Sequence, residues 1–178
     1  MEEAIAELTV YPSMDEWIDN FVSDVVGSTP PLPIDIAEIA GALGCEVVLD
    51  PDLASSGSTQ APSLSGGSYR LFVKAAKLES ARARFTVAHE LAHAVLHRLS
   101  DGAFLEGPDV EAVCDSLAIN MLAPTAILIS YVNEHGLSLE TIEELAEAFA
   151  VPLDVLLARV RQLVPATTTV EVVSGAPL

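Results

Sequence analysis

Two histidines with a glutamate between them are the residues of this chain best suited to chemistry. They are His89, Glu90 and His93, within "RFTVAHELAHAVLH" at 84–97. On an α-helix, residues four positions apart lie on nearly the same face, so both imidazoles can converge on one metal ion. Glu90 is rotated by about 100° from His89 and can reach a water molecule held by the ion. The pattern predicts a zinc site at which Glu90 acts as general base on zinc-bound water, whose pKa falls to about 7.

A third ligand has to come from another segment, because a catalytic zinc has three protein ligands and one open position. Glu111 and Asp115 stand four residues apart in "VEAVCDSLAINMLAP" at 110–124. Glu111 is the candidate third ligand, and Asp115 is suited to accept the N–H of a ligand imidazole. Cys114 competes with Glu111, since thiolates bind zinc well. Weaker alternatives are Glu106, Asp109 and Asp115 itself, and an acidic pair at this spacing is also typical of a solvated helix face.

The other two histidines have less specific surroundings. His97 lies eight residues after His89, about 12 Å along a straight helix, so the two cannot bind one ion. We expect His97 to support the site or to pack beside it. Tyr131 and His135 share a helix face and are candidates to stabilise the transition state, as are His97 and Arg70. Surface or packing roles are the simpler interpretation of all four.

Helices are expected to position these residues. Ser80 begins a predicted helix of about 20 residues. Its buried stripe recurs at spacings of three and four, with the ligand histidines on a neighbouring strip at the rim of the core; the stripe comprises Phe85, Ala88, Ala92, Val95 and Leu99. Asp109 is expected to cap the next helix, which should end near Pro124. Small residues at 114 and 118 allow the two helices to approach.

The remaining elements are predicted from caps, turns and periodicity. Ser13 and Glu16 form a capping-box pattern, and Asp35 or its neighbours cap a second helix. The stretch 53–68 is rich in Ser, Gly and Pro and is expected to be a mobile loop that contributes no element. Predicted helices cover about 13–26, 34–43, 125–135, 139–150 and 153–163, and predicted strands cover 45–50 and 69–74. The tail from residue 166 is either an edge strand or disordered.

Composition favours one globular domain. The chain has 178 residues, 51% of them apolar, and a net charge of −18 from 8 basic and 26 acidic residues. This charge argues against direct binding to nucleic acid or to acidic membranes. Two cysteines, Cys45 and Cys114, are expected to be free thiols. No signal-peptide pattern is visible, and Asn120 and Pro124 interrupt the longest apolar stretch, so we expect a cytoplasmic protein without a membrane span.

The order of these motifs resembles the ImmA/IrrE-like family of zinc metallo-endopeptidases. The resemblance rests on "RFTVAHELAHAVLH" and, about twenty residues after His89, on "ExxCDxLAxxMLAP". It extends upstream to "PIDIAEIAGALGCEVV" and "YRLFVK", and covers roughly 30–135. It implies that His89 and His93 bind one zinc ion, that Glu90 is the general base and that Glu111 is the third ligand. Departures from residues common in the family are Ala92, Leu117 and Ala123.

The resemblance also implies a fold and an activity. The expected fold is α+β and zincin-like: a mostly helical domain over 1–135, with its core at about 30–135 and a small β-sheet beside the histidine helix. A helical pair and tail at 136–178 would pack on the same domain as a short extension. The implied activity is site-specific cleavage of a helix-turn-helix repressor, a substrate class that rests on the resemblance alone.

Two other functions stay open. The C-terminal helices have the outline of a DNA-binding helix-turn-helix, but acidic residues there outnumber Arg159 and Arg161, which favours packing or docking of a partner. The chain can also be a non-catalytic, metal-stabilised binding module, such as an antitoxin-like protein or a subunit of a transcriptional regulator. Glu90 argues against that module, because a structural site does not need a base and fills all four positions. A zinc hydrolase acting on a non-protein substrate is a further alternative.

Overall fold

The computed structural model describes residues 13–63 and 66–163, so the C-terminal tail lies outside the described residues. Helices and a small three-stranded sheet make up this part of the chain, which confirms the predicted α+β fold class. In chain order the elements are α1 Met14–Val26, α2 Ile36–Ala42, β1 Cys45–Leu49, β2 Gly57–Gln60, β3 Tyr69–Val73, α3 Ala81–Leu99, α4 Pro108–Leu122, α5 Thr125–His135, α6 Leu139–Phe149 and α7 Leu153–Leu163.

The sheet has the strand order β1-β3-β2. β1 and β3 are parallel, with Cys45 opposite Tyr69, whereas β2 runs antiparallel to β3, with Gly57 opposite Val73. Buried and more exposed residues alternate along β3, and the buried ones face α3, against which the sheet packs. Alternate residues of a strand point to one face, so β3 brings its apolar side to the helix.

The prediction of a loop over 53–68 was wrong for β2. The segment Gly57–Gln60 reads "GSTQ" and has little intrinsic strand preference. Its backbone groups nevertheless pair with β3 along the full length of the strand. Pairing satisfies backbone donors and acceptors whatever the side chains are, and so overrides weak propensity. This strand proves to be one wall of the site.

α3 has its predicted cap and, apart from Leu99, which is only partly buried, its predicted buried stripe. The Ser80 hydroxyl accepts a hydrogen bond from the backbone N–H of Ala83 at 3.1 Å. Ala88 and Ala92 are fully buried, and Leu91, between them, is also 0% exposed. Replacing such a leucine by alanine costs about 2–5 kcal/mol of folding free energy. The helix is therefore anchored by its core face, and its histidine strip is left at the rim.

α4 starts two residues earlier than a cap at Asp109 predicts, and Asp109 is not its cap. Pro108 is the first helical residue and Gly107 is the N-cap, with φ of 120°. Proline suits this position because its missing N–H would have no partner within the helix and its φ is already helical. Cys114 and Ala118 are fully buried, as expected for small residues where α4 packs against α3.

The boundaries of α2 also differ slightly from the prediction. Asp35 is the N-cap, and its Oδ1 accepts hydrogen bonds from the N–H groups of Ala37 and Glu38 at 2.9 and 3.3 Å. The helix therefore begins at Ile36 instead of Ile34. The Ser13 cap of α1 is present, with its hydroxyl 3.2 Å from the N–H of Glu16.

The C-terminal helices share the main hydrophobic core. Leu145, Phe149 and Leu156, from α6 and α7, belong to the same buried cluster as the α3 and α4 core residues. Buried Arg84 of α3 donates from Nη2 to the carbonyl of Ile34 at 2.5 Å and from Nε to the carbonyl of Ala150 at 3.3 Å. The division into domains at residue 135 stays a prediction.

Within the described residues, no single helix is both long and apolar enough to cross a membrane; α4 and α5 meet the criterion only as a pair, bent by 63°.

Candidate active site

Three predicted ligands from two helices meet in one cluster. The Nε2 atoms of His89 and His93, on α3, are 3.2 Å apart. Glu111, from the first turn of α4, places Oε2 3.2 Å from His89 Nε2 and Oε1 3.5 Å from His93 Nε2. The three ligand atoms all lie within 4.8 Å of one another. The structure thus brings together residues 22 positions apart in sequence.

The spacing of these atoms fits one metal ion. Ligand atoms held tetrahedrally at 2.0–2.1 Å from an ion lie about 3.3 Å from one another. The two imidazole nitrogens are 3.2 Å apart, His89 is 3.2 Å from Oε2 of Glu111, and His93 is 3.5 Å from its Oε1; all three distances lie close to that value, with the histidines facing different oxygens of the carboxylate. Two histidines and one glutamate supply three ligands and leave the fourth position open, as in catalytic zinc sites. The donor set therefore suits a metal ion with room for a water molecule or a substrate.

The contact between Asp115 and His89 places two hydrogen-bond acceptors face to face in the cluster. Its Oδ1 lies 2.8 Å from His89 Nδ1. With the proton of a neutral imidazole on Nδ1, His89 presents a lone pair at Nε2. That lone pair faces the Glu111 carboxylate, which is also an acceptor. Two acceptors at 3.2 Å require a proton or a metal cation between them, and the Asp115 contact is the usual way to orient a metal-binding histidine.

Glu90 is more deeply buried than the ligands beside it. Its residue is 7% exposed, whereas the side chains of His89 and His93 are 17% exposed and that of Glu111 is 55% exposed. Burial raises the pKa of Glu90, opposed by a hydrogen bond from Thr59 and by the two histidines. Burial penalises the charged form because the carboxylate loses water. The carboxyl group is thereby brought closer to the range in which it can both take up and release a proton.

Strand β2 makes direct contacts with Glu90. The Thr59 hydroxyl lies 2.8 Å from Glu90 Oε2 and 2.8 Å from the Glu90 carbonyl oxygen. Gly57 lies against the other carboxylate oxygen, since a Cβ at Gly57 would stand 2.4 Å from Glu90 Oε1. No side chain can occupy position 57 without displacing the carboxylate. The β2 wall is therefore shaped around Glu90.

The cluster opens into a cavity of about 520 Å³. The cavity lies between β2, the first half of α3, the loop before α4 and the start of α4. Charged residues among its lining side chains are Arg82, Glu90, Glu106, Glu111 and Asp115, together with His89 and His93. Phe104 and Leu105, 48% and 44% exposed, form an apolar edge. A chain segment entering from solvent can reach the ligand cluster.

Cys114 is placed away from this opening. It is fully buried and is not among the residues that line the cavity. Burial raises its pKa to about 12, with further contributions from Glu111, Glu90 and Asp115. Because the thiol is buried away from the opening and Glu111 occupies the place beside the histidines, Glu111 is the better third ligand. Of the weaker alternatives for the third ligand, Glu106 lines the cavity and Asp109 does not.

The candidates for transition-state stabilisation are not brought to the cluster. His97 Nδ1 lies 2.8 Å from the Tyr69 hydroxyl, and its ring packs on Phe104 with centroids 4.2 Å apart. Tyr131 and His135 stack on each other, with centroids 4.1 Å apart. Arg70 pairs with Glu46 at 3.5 Å. Among the described residues that line the cavity, none of these four side chains is present.

Sequence reasoning missed Thr59, Gly57 and Arg82. Arg82 could have been found, because it stands seven residues before His89 and so about two turns away on the same helix face. Thr59 and Gly57 carried no comparable pattern, since they lie in the Ser/Gly-rich stretch that was predicted to be a loop. Their proximity to Glu90 follows from the antiparallel pairing of β2 with β3.

Comparison with known proteins supports a peptidase. The family model described as Peptidase_M78, IrrE N-terminal-like domain, matches residues 40–161. A search of the curated proteins gave no match. The matched region contains the three clustered ligands, Glu90 and all three strands, and the function it indicates is of the metallopeptidase type. On this match, the chain belongs to the IrrE N-terminal-like family of peptidases.

Proposed function

We propose that this protein is a zinc-dependent endopeptidase. The observation that carries the proposal is the buried Glu90 carboxylate beside a cluster of two histidines and a glutamate, with one side open to a cavity. Hydrolysis of a peptide bond needs a base for the attacking water and an acid for the leaving amine. One carboxyl group next to a metal site serves both needs in turn.

Each residue of the cluster has a separate role in the proposal. His89, His93 and Glu111 would hold the zinc ion. Zinc, when bound, supplies a Lewis acid that polarises the peptide carbonyl and lowers the pKa of a water molecule. Asp115 accepts a hydrogen bond from the Nδ1–H of His89 and thereby directs the Nε2 lone pair of that ring into the site.

Glu90 carries out the proton transfers. As a carboxylate it accepts the proton of the attacking water, and as the acid it returns that proton to the nitrogen of the cleaved bond. Burial raises the pKa of Glu90, which reduces the free-energy gap between its two protonation states near neutral pH. Both transfers take place in the cavity wall formed by α3 and β2.

The proposed substrate is a protein of the repressor type that contains a helix-turn-helix. The resemblance to the ImmA/IrrE-like family supports this choice. The net charge of −18 is compatible with a basic, DNA-binding substrate protein and argues against direct binding to nucleic acid. A cytoplasmic location is part of the same proposal, and two free cysteines agree with a reducing compartment.

Purified protein, Glu90→Gln and a Glu144→Gln control test the function. Glu144 is an exposed residue of α6 that does not line the cavity. Each protein is analysed for bound zinc and incubated with a peptide library derived from a whole proteome and with purified helix-turn-helix repressors, and products are read by mass spectrometry. We expect about one zinc per chain in all three, internal cleavage by wild type and control, and a loss of at least about 1000-fold in Glu90→Gln.

Three results would contradict the proposal. Cleavage that survives Glu90→Gln would show that another group is the base. Zinc at one equivalent without cleavage of any peptide or repressor would favour the alternative, a metal-stabilised binding module. Products that lack only terminal residues would indicate an exopeptidase.

A further inference from the structure

Glu90 is held at several points by a strand that the sequence pattern did not predict. The Thr59 hydroxyl on β2 stands 2.8 Å from both the Oε2 atom and the backbone carbonyl of Glu90. Thr59 is 31 positions away in sequence. Both contacts involve the same residue of α3, so β2 is tied to the particular residue that would carry out the proton transfers.

The second carboxylate oxygen of Glu90, Oε1, is confined by steric contact with the backbone of Gly57, which packs against it. A Cβ at residue 57 would collide with this oxygen, and it would also lie 2.8 Å from Thr86 Cγ2 and 2.9 Å from Glu90 Cδ. Gly57 therefore provides space, and its backbone does not need an unusual φ for this purpose. A hydroxyl donor on one side and bare backbone on the other leave the carboxylate little freedom to turn.

Restricting the carboxylate matters because a glutamate side chain has three rotatable torsions. Reactions are accelerated when a catalytic group is already at its reacting position, and small displacements of such groups are costly. We propose that Thr59 is a positioning residue for peptide hydrolysis: its hydroxyl fixes the orientation of the Glu90 carboxylate, in the space that Gly57 leaves open. This inference rests on the proposed peptidase function and adds a residue to it.

Two substitutions at Thr59 separate this role from simple packing. Thr59→Val keeps the β-branched volume and removes the hydroxyl, whereas Thr59→Ser keeps the hydroxyl and removes a methyl group. Thr141→Val is the matched control, because Thr141 is a buried threonine of α6 whose hydroxyl bonds to Ser138 at 2.9 Å. Each variant of the full chain is loaded with zinc, and kcat, KM and zinc per chain are measured with the best peptide from the library.

We expect Thr59→Val to lower kcat by about tenfold, the effect of one hydrogen bond to a charged group. Its KM should stay within about twofold and its zinc content near one per chain, because the ligand atoms are not touched. Thr59→Ser should recover most of the rate, and Thr141→Val should match wild type. A wild-type kcat in Thr59→Val, or a loss that is shared by Thr59→Ser or accompanied by loss of zinc, would overturn the positioning role.

A second readout does not depend on catalysis. Urea unfolding of the metal-free protein is measured for Thr59→Val, for Glu90→Ala and for the double variant. If the hydroxyl acts on the carboxylate, Thr59→Val should shift the midpoint less in the Glu90→Ala background than in wild type. Equal shifts would mean that the two side chains are not coupled, and would overturn the inference even if the protein is an active peptidase. Coupling without any cleavage by wild type would instead refute the proposed function alone.

Discussion

Two pairs of ring side chains in this protein have the same spacing along a helix and different surroundings. His89 and His93 lie on α3, and Tyr131 and His135 lie on α5. In both pairs the rings touch, with centroids 4.9 Å apart in the first and 4.1 Å apart in the second. In sequence, the four-residue spacing makes both pairs candidates for a site.

The first pair gains its partners from other elements. α4 contributes Glu111 and Asp115, and both contact the imidazoles at 3.5 Å or less. The second pair is satisfied by its own helix and by one exposed neighbour. His135 Nδ1 lies 3.0 Å from the Tyr131 carbonyl oxygen, and the Tyr131 hydroxyl donates to Glu144 at 3.3 Å.

The difference shows that a four-residue spacing only places two side chains next to each other on a helix. The packing of other elements around the pair decides whether they become part of a site. The histidine pair lies on a helix between a sheet and a second helix, next to a cavity. Desolvation and the neighbouring Glu144 raise the pKa of Tyr131, whose hydroxyl already donates to that carboxylate.

The largest expected effect is the loss of metal from the first pair. His93→Ala removes one of three ligands, so zinc per chain should fall close to zero and hydrolysis should fall by at least about 1000-fold. His135→Ala is the matched control and should keep about one zinc. Metal analysis after gel filtration measures both. Retention of a full equivalent by His93→Ala would place the metal elsewhere.

A smaller loss is expected when β2 is made to collide with Glu90. In Gly57→Ala the added methyl group overlaps the carboxylate, so kcat should fall by about 100-fold while zinc stays bound. Gly41→Ala is the control, because a Cβ at Gly41 would meet no atom within 4 Å. Full activity of Gly57→Ala would show that Glu90 can work from another orientation.

Asp115 should affect metal affinity more than folding. Asp115→Asn weakens the acceptor for His89 Nδ1, and metal affinity should fall by about 10- to 100-fold. Competition with a chromophoric chelator measures it. Glu144→Gln, which changes the acceptor of the second pair in the same way, should leave the affinity unchanged. An unchanged affinity in Asp115→Asn would mean that the contact does not orient the ring.

Cys114 is expected to contribute to stability and not to metal binding. Cys114→Ala should keep about one zinc per chain, because the thiol is fully buried and lies outside the cavity lining. The pKa of Cys114 is raised from 9.0 to about 12. Its contribution to stability is therefore complete below pH 9 and is lost as pH rises through 12. Urea unfolding between these pH values should show a steeper loss in wild type than in Cys114→Ala; equal slopes, or loss of zinc, would contradict the assignment.

The smallest effects are expected for the second pair. Tyr131→Phe and His135→Gln should each change kcat and KM by less than about twofold, since neither side chain lines the cavity. Rate measurements with the same peptide test this. A fall of tenfold or more in either variant would bring α5 into the mechanism, for instance through movement when substrate binds.

The sequence by itself determined the histidine helix, its buried face and the position of its two ligand histidines. Apolar residues at spacings of three and four predict which face of α3 is buried, and they leave His89 and His93 on the rim. The Ser80 and Asp35 caps were also predictable, because they depend on bonds between near neighbours. The Asp109 cap was predicted wrongly, since Gly107 and Pro108 form an equally local alternative. Periodicity and capping act within a few residues, and the sequence displays them directly.

The sequence offered Glu111 as a third ligand beside rivals such as Cys114, and only the tertiary structure decided which candidates and which unpredicted residues reach the site. Glu111 reaches the histidines because α4 packs closely on α3, whereas Tyr131 and His135 have the same spacing and face elsewhere. Thr59 and Gly57 reach Glu90 because β2 pairs with β3, although "GSTQ" has no strand pattern of its own. Such contacts depend on backbone pairing and on helix packing summed over many residues. No single residue type records them, so they appear only when the chain is folded.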